Sequence, residues 1–168
     1  MADVLMGTLI ILGFYVSMLS YWLIAYALAP KLVSGSRTSF ENTPWKNILV
    51  GLLVGTPIAI AGFLLFAIPN PAFKILGFAV ILLPLLMGLF GSAGLCEKIG
   101  QGLSMSHDEG QDWLRVRRGG IVLGLTFIFP LLGWFLVMPV VLISGIGALF
   151  LSWRAGRREV VAPPPIQA

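Results

Sequence analysis

The chain has 168 residues, 58% of them hydrophobic and only 11% charged, with a formal net charge of +4 and a mean hydropathy of +0.96. Soluble domains carry about 25% charged residues, so this composition specifies an integral membrane protein and leaves no polar folded surface for a nucleic-acid footprint. One cysteine, Cys96, excludes an internal disulfide and a cysteine metal cluster, and one histidine, His107, excludes a bis-histidine haem within the chain.

The first uncharged run, residues 4–29, is long enough to span a bilayer with tilt and ends at Pro30. No basic n-region or small-residue cleavage site marks it as a signal peptide, so it reads as a retained span. Tyr15, Tyr21, Trp22 and Tyr26 fall in its second half, where amphipathic aromatics sit at a membrane interface. Gly13, Ser17 and Ser20 share a face that suits a close helix contact, each hydroxyl bonding its own backbone.

Residues 31–47 read as a polar loop carrying Lys31, Arg37 and Lys46. Thr43-Pro44 has the form of an N-cap followed by Pro at the first helical position, opening a second span over residues 45–67. Gly51, Gly55 and Ala59 recur every four residues in it, the spacing that lets two helix backbones approach, and Pro57 is expected to bend it. A turn at Ile68-Pro69-Asn70-Pro71 leads to a third span, residues 72–95, with Pro84 at its middle and a ridge of Gly88, Gly91 and Gly94 at its end.

Polar composition returns over residues 96–118. Ser106-His107-Asp108-Glu109 does not make a metal site, since three adjacent ligands do not converge on one ion; Ser106 and Glu109 fit a capping box instead. Trp113, Arg115, Arg117 and Arg118 read as an interfacial lead-in, with the ring and the arginine stems at headgroup depth and the charges reaching water and anionic lipid.

Residues 119–153 hold no charge, and Arg154 anchors their far end. A helix of about 35 residues would be roughly 50 Å long against a hydrocarbon core of about 30 Å. Arginines at both ends require an even number of passages or a dip in and back. The break is placed at Pro130, Gly133 and Trp134, where Pro130 removes a donor and Gly133 permits a tight turn. The alternative is one long, tilted, Pro-kinked helix. The fold class is therefore an all-α integral membrane protein, three transmembrane helices plus a C-terminal re-entrant or short-span helical hairpin. Residues 1–158 form a single helical membrane domain and residues 159–168 a Pro-rich tail that favours an extended conformation. Ten of the eleven Lys and Arg residues fall on one side, and Lys74 alone on the other, which puts the N-terminus outside and the C-terminus in the cytoplasm.

The segment from Pro84 through Leu89-Phe90-Gly91-Ser92-Ala93-Gly94, followed by Gly124-Leu125, Pro130-Leu131-Leu132-Gly133-Trp134 and Gly145-Ile146-Gly147-Ala148, resembles bacterial multi-span membrane modules associated with bactofilin-like polymer-forming cytoskeletal proteins. The resemblance covers residues 76–151. It implies an anchoring role in a bacterial inner membrane and no catalytic residues. The chain departs from it in having no β-helix polymer domain.

Proton relays and ion-coupled carriers place ionisable side chains at membrane depth, and every charge here falls in an expected loop, interface or tail. His107 with Asp108 and Glu109 is the one cluster that could serve an enzyme, and capping accounts for it, so the chain reads as no enzyme. The expectation is a non-catalytic accessory or scaffold subunit of a bacterial inner-membrane complex, with other integral membrane subunits and lipids as partners and no nucleic acid. No cofactor is expected; a lipid, quinone or pigment can contact the apolar edge. The alternative is a homo-oligomeric small pore or carrier, motivated by the hairpin and weakened by its lack of a polar lining, Thr126 and Ser144 being uncharged hydroxyls in its interior.

Overall fold

The computed structural model describes residues 2–103 and 111–161, all built from helices and their short connections. In chain order these are α1 (Ala2–Leu28), α2 (Pro30–Asn42), α3 (Pro44–Ala67), α4 (Pro71–Gly102), α5 (Asp112–Phe127), the single turn α6 (Pro130–Leu132), a π-helical segment (Gly133–Val137) and α7 (Met138–Val161). Four helical stretches are long and apolar enough to cross a membrane: Asp3–Leu28, Pro44–Ala67, Pro71–Gly102 and Gly133–Arg157.

α4 is the centre of the bundle; every other α-helix except the single turn α6 packs against it or against its neighbours α3 and α7. The close contacts fix directions. Gly88 and Gly91 of α4 meet Leu142 and Gly145 of α7, so those helices run the same way. Gly100 meets Arg115 and Cys96 meets Gly119, so α5 runs against α4. Gly120 and Gly124 of α5 meet Trp22 and Tyr15, so α1 runs against α5. The start of α3, the end of α4, the start of α5 and the end of α7 consequently share one end of the bundle, and with them nearly all the basic residues.

Two boundaries differ from the sequence reading. The expected loop over residues 31–47 is mostly the helix α2, because Val33, Ser36 and Phe40 recur at helical spacing and bury one face while Lys31, Thr38 and Glu41 stay exposed. Pro30 supplies its first residue, and the chain breaks at Thr43 before Pro44. Thr43 gives α3 no side-chain cap; its hydroxyl donates back to Ser39 O at 3.3 Å. The third apolar helix continues past residue 95 to Gly102, since no breaker interrupts Cys96-Glu97-Lys98-Ile99 and the carboxylate there finds a cation across the helix interface. At its other end the expected turn is present, with Asn70 Oδ1 accepting from Ala72 N at 3.0 Å.

Within residues 119–153 the helix breaks at Ile128-Phe129, and the chain leaves in the direction opposite to that in which it arrived. Phe129 is extended (φ −74°, ψ 105°) because a residue preceding proline is disfavoured in the helical region. The expectation of a tight turn at Gly133 is corrected: its backbone is right-handed helical (φ −66°, ψ −48°), and its missing side chain is needed because a Cβ would strike Thr126 O and Phe127. The wide turns of Gly133–Val137, with Met138 N–H reaching Gly133 O, lead directly into Pro139, which has no donor for an ordinary helical bond. α7 then runs without interruption through Trp153 and Arg154 to Val161, three residues into the expected tail. The proline run of that tail, residues 163–165, and the expected capping box at residues 106–109 lie outside the described residues.

The core sits toward the basic end. Trp22, Val33, Ala93, Cys96, Val116 and Leu123 form its centre, with Phe127 and Val141 at its inner limit. Beyond it α1 stands away from the bundle: residues 3–6 and 8–14 are all exposed.

Candidate functional site

The basic end carries a polar layer that a linear reading of the chain misses. Glu97 is buried to 2% exposure and its Oε1 accepts from Arg37 Nη1 at 3.0 Å. Arg37 also lies 3.4 Å from Glu41 one turn along α2, and Lys98 Nζ donates to Phe40 O at 2.8 Å. Arg115 pairs with Asp112 at 2.8 Å, Arg118 reaches Leu103 O, and Ser39 donates to Asn47 Oδ1 at 2.6 Å. Burying a carboxylate is tolerable only with a partner, so α2 is fastened to α4 by charge as well as by its apolar face. The residues involved are all in the sequence, but nothing local marks Glu97 as buried; the signal would have been its position in phase with Gly94 and Ala93, on the side of α4 that faces the bundle.

Trp22 is a core residue, not an interfacial one: it is 1% exposed and its Nε1 donates to Ser92 Oγ at 2.9 Å. Tyr21 and Tyr15 hydroxyls donate to the carbonyls of Leu86 and Ile121. The exposed aromatics at the basic end are Trp45, Trp113 and Trp153, with Arg117 stacked 5.3 Å over Trp113 and Arg157 3.9 Å over Trp153. Arg154 is exposed beside them.

The small residues singled out at helical spacing meet other helices of the same chain. A Cβ on Gly51 would enter the carbonyl of Ile143, on Gly88 that of Leu142, on Gly91 that of Gly145, and on Gly94 the backbone of Ser36 and Arg37. Gly55 faces only the end of the Ile146 side chain, at 2.9 Å. Ala59 lines, with Gly51 and Gly55, an apolar groove of about 430 Å³ between α3, α4 and α7. By contrast Gly13 meets nothing within 4 Å, and Ser17 and Ser20 on its face are exposed, with Ser17 Oγ bonded to Gly13 O at 2.8 Å.

At the helix break, Trp134 Nε1 donates to Phe127 O at 3.0 Å, satisfying one of the carbonyls that the end of α5 leaves open. Its ring lies 6.4 Å from that of Phe14, so the break touches α1 as well. Between them is an apolar cavity of about 360 Å³. Thr126 and Ser144 donate back to Leu123 O and Val140 O on their own helices, both at 2.6 Å. Among the described residues no three of His, Cys, Asp and Glu converge on a point, and His107 lies outside them.

No match to the chain was found among protein-family models, curated proteins or solved structures.

Proposed function

We propose that the chain is a non-catalytic accessory or scaffold subunit of an integral membrane complex, docking through the face of α1 that carries Gly13, Ser17 and Ser20. The observation that carries the reading is the contrast between glycine faces. Those of α3 and α4 are filled by helices of the same chain, while Gly13, Ser17 and Ser20 on α1 are exposed, on a helix whose buried residues are Met18, Trp22 and Ala25. Small residues at that spacing let a second helix backbone approach within van der Waals contact, which is the main source of helix association where lipid is the solvent. The occupant is a transmembrane helix of another integral membrane subunit.

The placement that goes with this has α1, α3 and α4 crossing the membrane, with α5 and the arm ending in α7 entering from the basic side and returning to it, the N-terminus outside and the C-terminus inside. The apolar part of α5, nine residues after Arg118, rises about 14 Å and stops near mid-depth of a core about 30 Å thick. Support comes from the shared basic end and its exposed tryptophans. A bacterial inner membrane is the setting that the resemblance of residues 76–151 implies. The pore alternative has the reversal of the chain at Ile128-Phe129 in its favour; against it, the hydroxyls of Thr126 and Ser144 are turned onto their own backbones and the cavities are lined mostly by apolar side chains.

The test is a mild-detergent purification from cells at native expression, with mass spectrometry of the proteins that accompany the chain. A defined membrane subunit that is lost with Gly13→Leu supports the reading. A homo-oligomer with no other component, unchanged by Gly13→Leu, overturns it.

A further inference from the structure

The cavity at the helix break has a floor of Gly124, Phe127 and Ile128 from α5, a wall of Ile10, Phe14 and Tyr15 from α1, and Trp134 as its lip. It holds about 360 Å³. An apolar void of this size stays dry and forfeits the dispersion contacts of its lining unless something apolar enters it. The two polar atoms in its wall are both occupied: Tyr15 Oη donates to Ile121 O at 3.3 Å and Trp134 Nε1 to Phe127 O at 3.0 Å. A quinone ring or a pigment headgroup would find no donor here. A saturated or monounsaturated hydrocarbon chain needs none.

Below the cavity, Arg117, Ile121, Leu125 and Ile128 follow one another at helical spacing along one exposed stripe of α5. Arg117 is exposed and stacked over Trp113 at the basic end of that stripe. From Arg117 to Phe127 the helix rises about 15 Å. One leaflet of a hydrocarbon core about 30 Å thick is also about 15 Å deep. A lipid with its phosphate on Arg117 would therefore lay its chain along the stripe and end in the cavity.

We infer that the groove between α1 and α5 binds one anionic phospholipid of the cytoplasmic leaflet, its phosphate at Arg117 and one acyl chain in the cavity under Trp134. The inference rests on the membrane placement proposed above but not on any protein partner. The charge complement selects an anionic over a zwitterionic headgroup, and the guanidinium, already held over an indole face, has its donors free to meet phosphate oxygens at the membrane surface.

The test is native mass spectrometry of the detergent-stripped chain titrated with dioleoyl phosphatidylglycerol and, separately, dioleoyl phosphatidylcholine. One saturable phosphatidylglycerol adduct is expected, with phosphatidylcholine weaker. Ile11→Trp, which fills the cavity, and Arg117→Gln, which removes the charge, should each weaken it about ten-fold. Val16→Trp, at an exposed α1 position outside the cavity, should leave it unchanged. If Ile11→Trp does not fold, Ile128→Phe takes its place. Equal adducts of both lipids, insensitive to these substitutions, would be adsorption to the surface and would overturn the site, as would a second copy of the chain appearing in place of the adduct. Cysteines at positions 38 and 70 labelled from the same side of the membrane would remove the placement itself, whereas a failed titration of correctly oriented protein removes the lipid site alone.

Discussion

Arg37 and Glu97 are separated by sixty residues in the chain and by 3.0 Å between Nη1 and Oε1 in the fold. Glu97 is almost fully enclosed, so this contact decides whether α2 can lie against α4. Removing one member of a buried pair leaves the other charge uncompensated, which costs more than replacing both. Arg37→Ala should destabilise the protein by about 3 kcal/mol. The paired replacement Arg37→Met with Glu97→Leu should recover most of that loss. Thermal unfolding in detergent measures both. An Arg37→Ala protein as stable as the parent would mean that the carboxylate does not depend on its partner.

The glycines of the bundle should not be equivalent. Gly91 faces the backbone of Gly145, which cannot yield without moving α7. Gly55 faces the terminal methyl of Ile146, which can rotate away. Gly91→Ala is expected to cost about 2–3 kcal/mol by overpacking, and Gly55→Ala less than about 1 kcal/mol. Equal costs in a denaturant or thermal series would contradict the distances.

Trp22 and Ser92 should behave as a coupled pair. Ser92→Ala leaves the indole N–H buried without an acceptor, at a cost of about 1–2 kcal/mol. In a Trp22→Phe background the same substitution should cost little, because the donor is gone. A double-mutant cycle reads the coupling directly, and additive effects would show that the 2.9 Å bond contributes nothing.

Orientation is testable with single cysteines. Thr38 and Asn70 are exposed and lie toward opposite ends of the bundle, whereas Ser36 is fully buried and would not label. Cys96 is also fully buried and is replaced by Ala for the background. A membrane-impermeant thiol reagent should modify Thr38→Cys from the cytoplasmic side and Asn70→Cys from the outside. The reverse pattern would invert the assignment made from the positive charges.

The long apolar runs, the turn at Pro69 and Pro71 and the break at Pro130 were readable from the sequence because each is a local rule: hydropathy over some twenty residues, or a missing donor. α2 was not. Its buried stripe of Val33, Ser36 and Phe40 contains a serine and lies among lysine, arginine and threonine, so its local composition is that of a loop. What makes it a helix is a face on α4 and a carboxylate there, and neither is visible within thirty residues of it. Trp22 failed as an interfacial marker for the same reason: its acceptor, Ser92, is seventy residues away. The glycine spacings pointed to close contacts, but spacing cannot say whether the opposing helix belongs to the same chain. In this fold it does for Gly51, Gly88, Gly91 and Gly94.

The unequal lengths on either side of Ile128-Phe129 bear on how the molecule is made. α5 offers only nine apolar residues after its arginines, too few to partition into a bilayer during synthesis, where about twenty are needed. Its glycines fit against Cys96, Trp22 and Tyr15, so its binding surface does not exist until α1 and α4 are already side by side. On the placement proposed above, α5 is a late-arriving piece that is seated by its neighbours. Biogenesis then has an obligatory order, and a fault in α1 or α4 would strand α5 at the membrane surface, where quality-control proteases act.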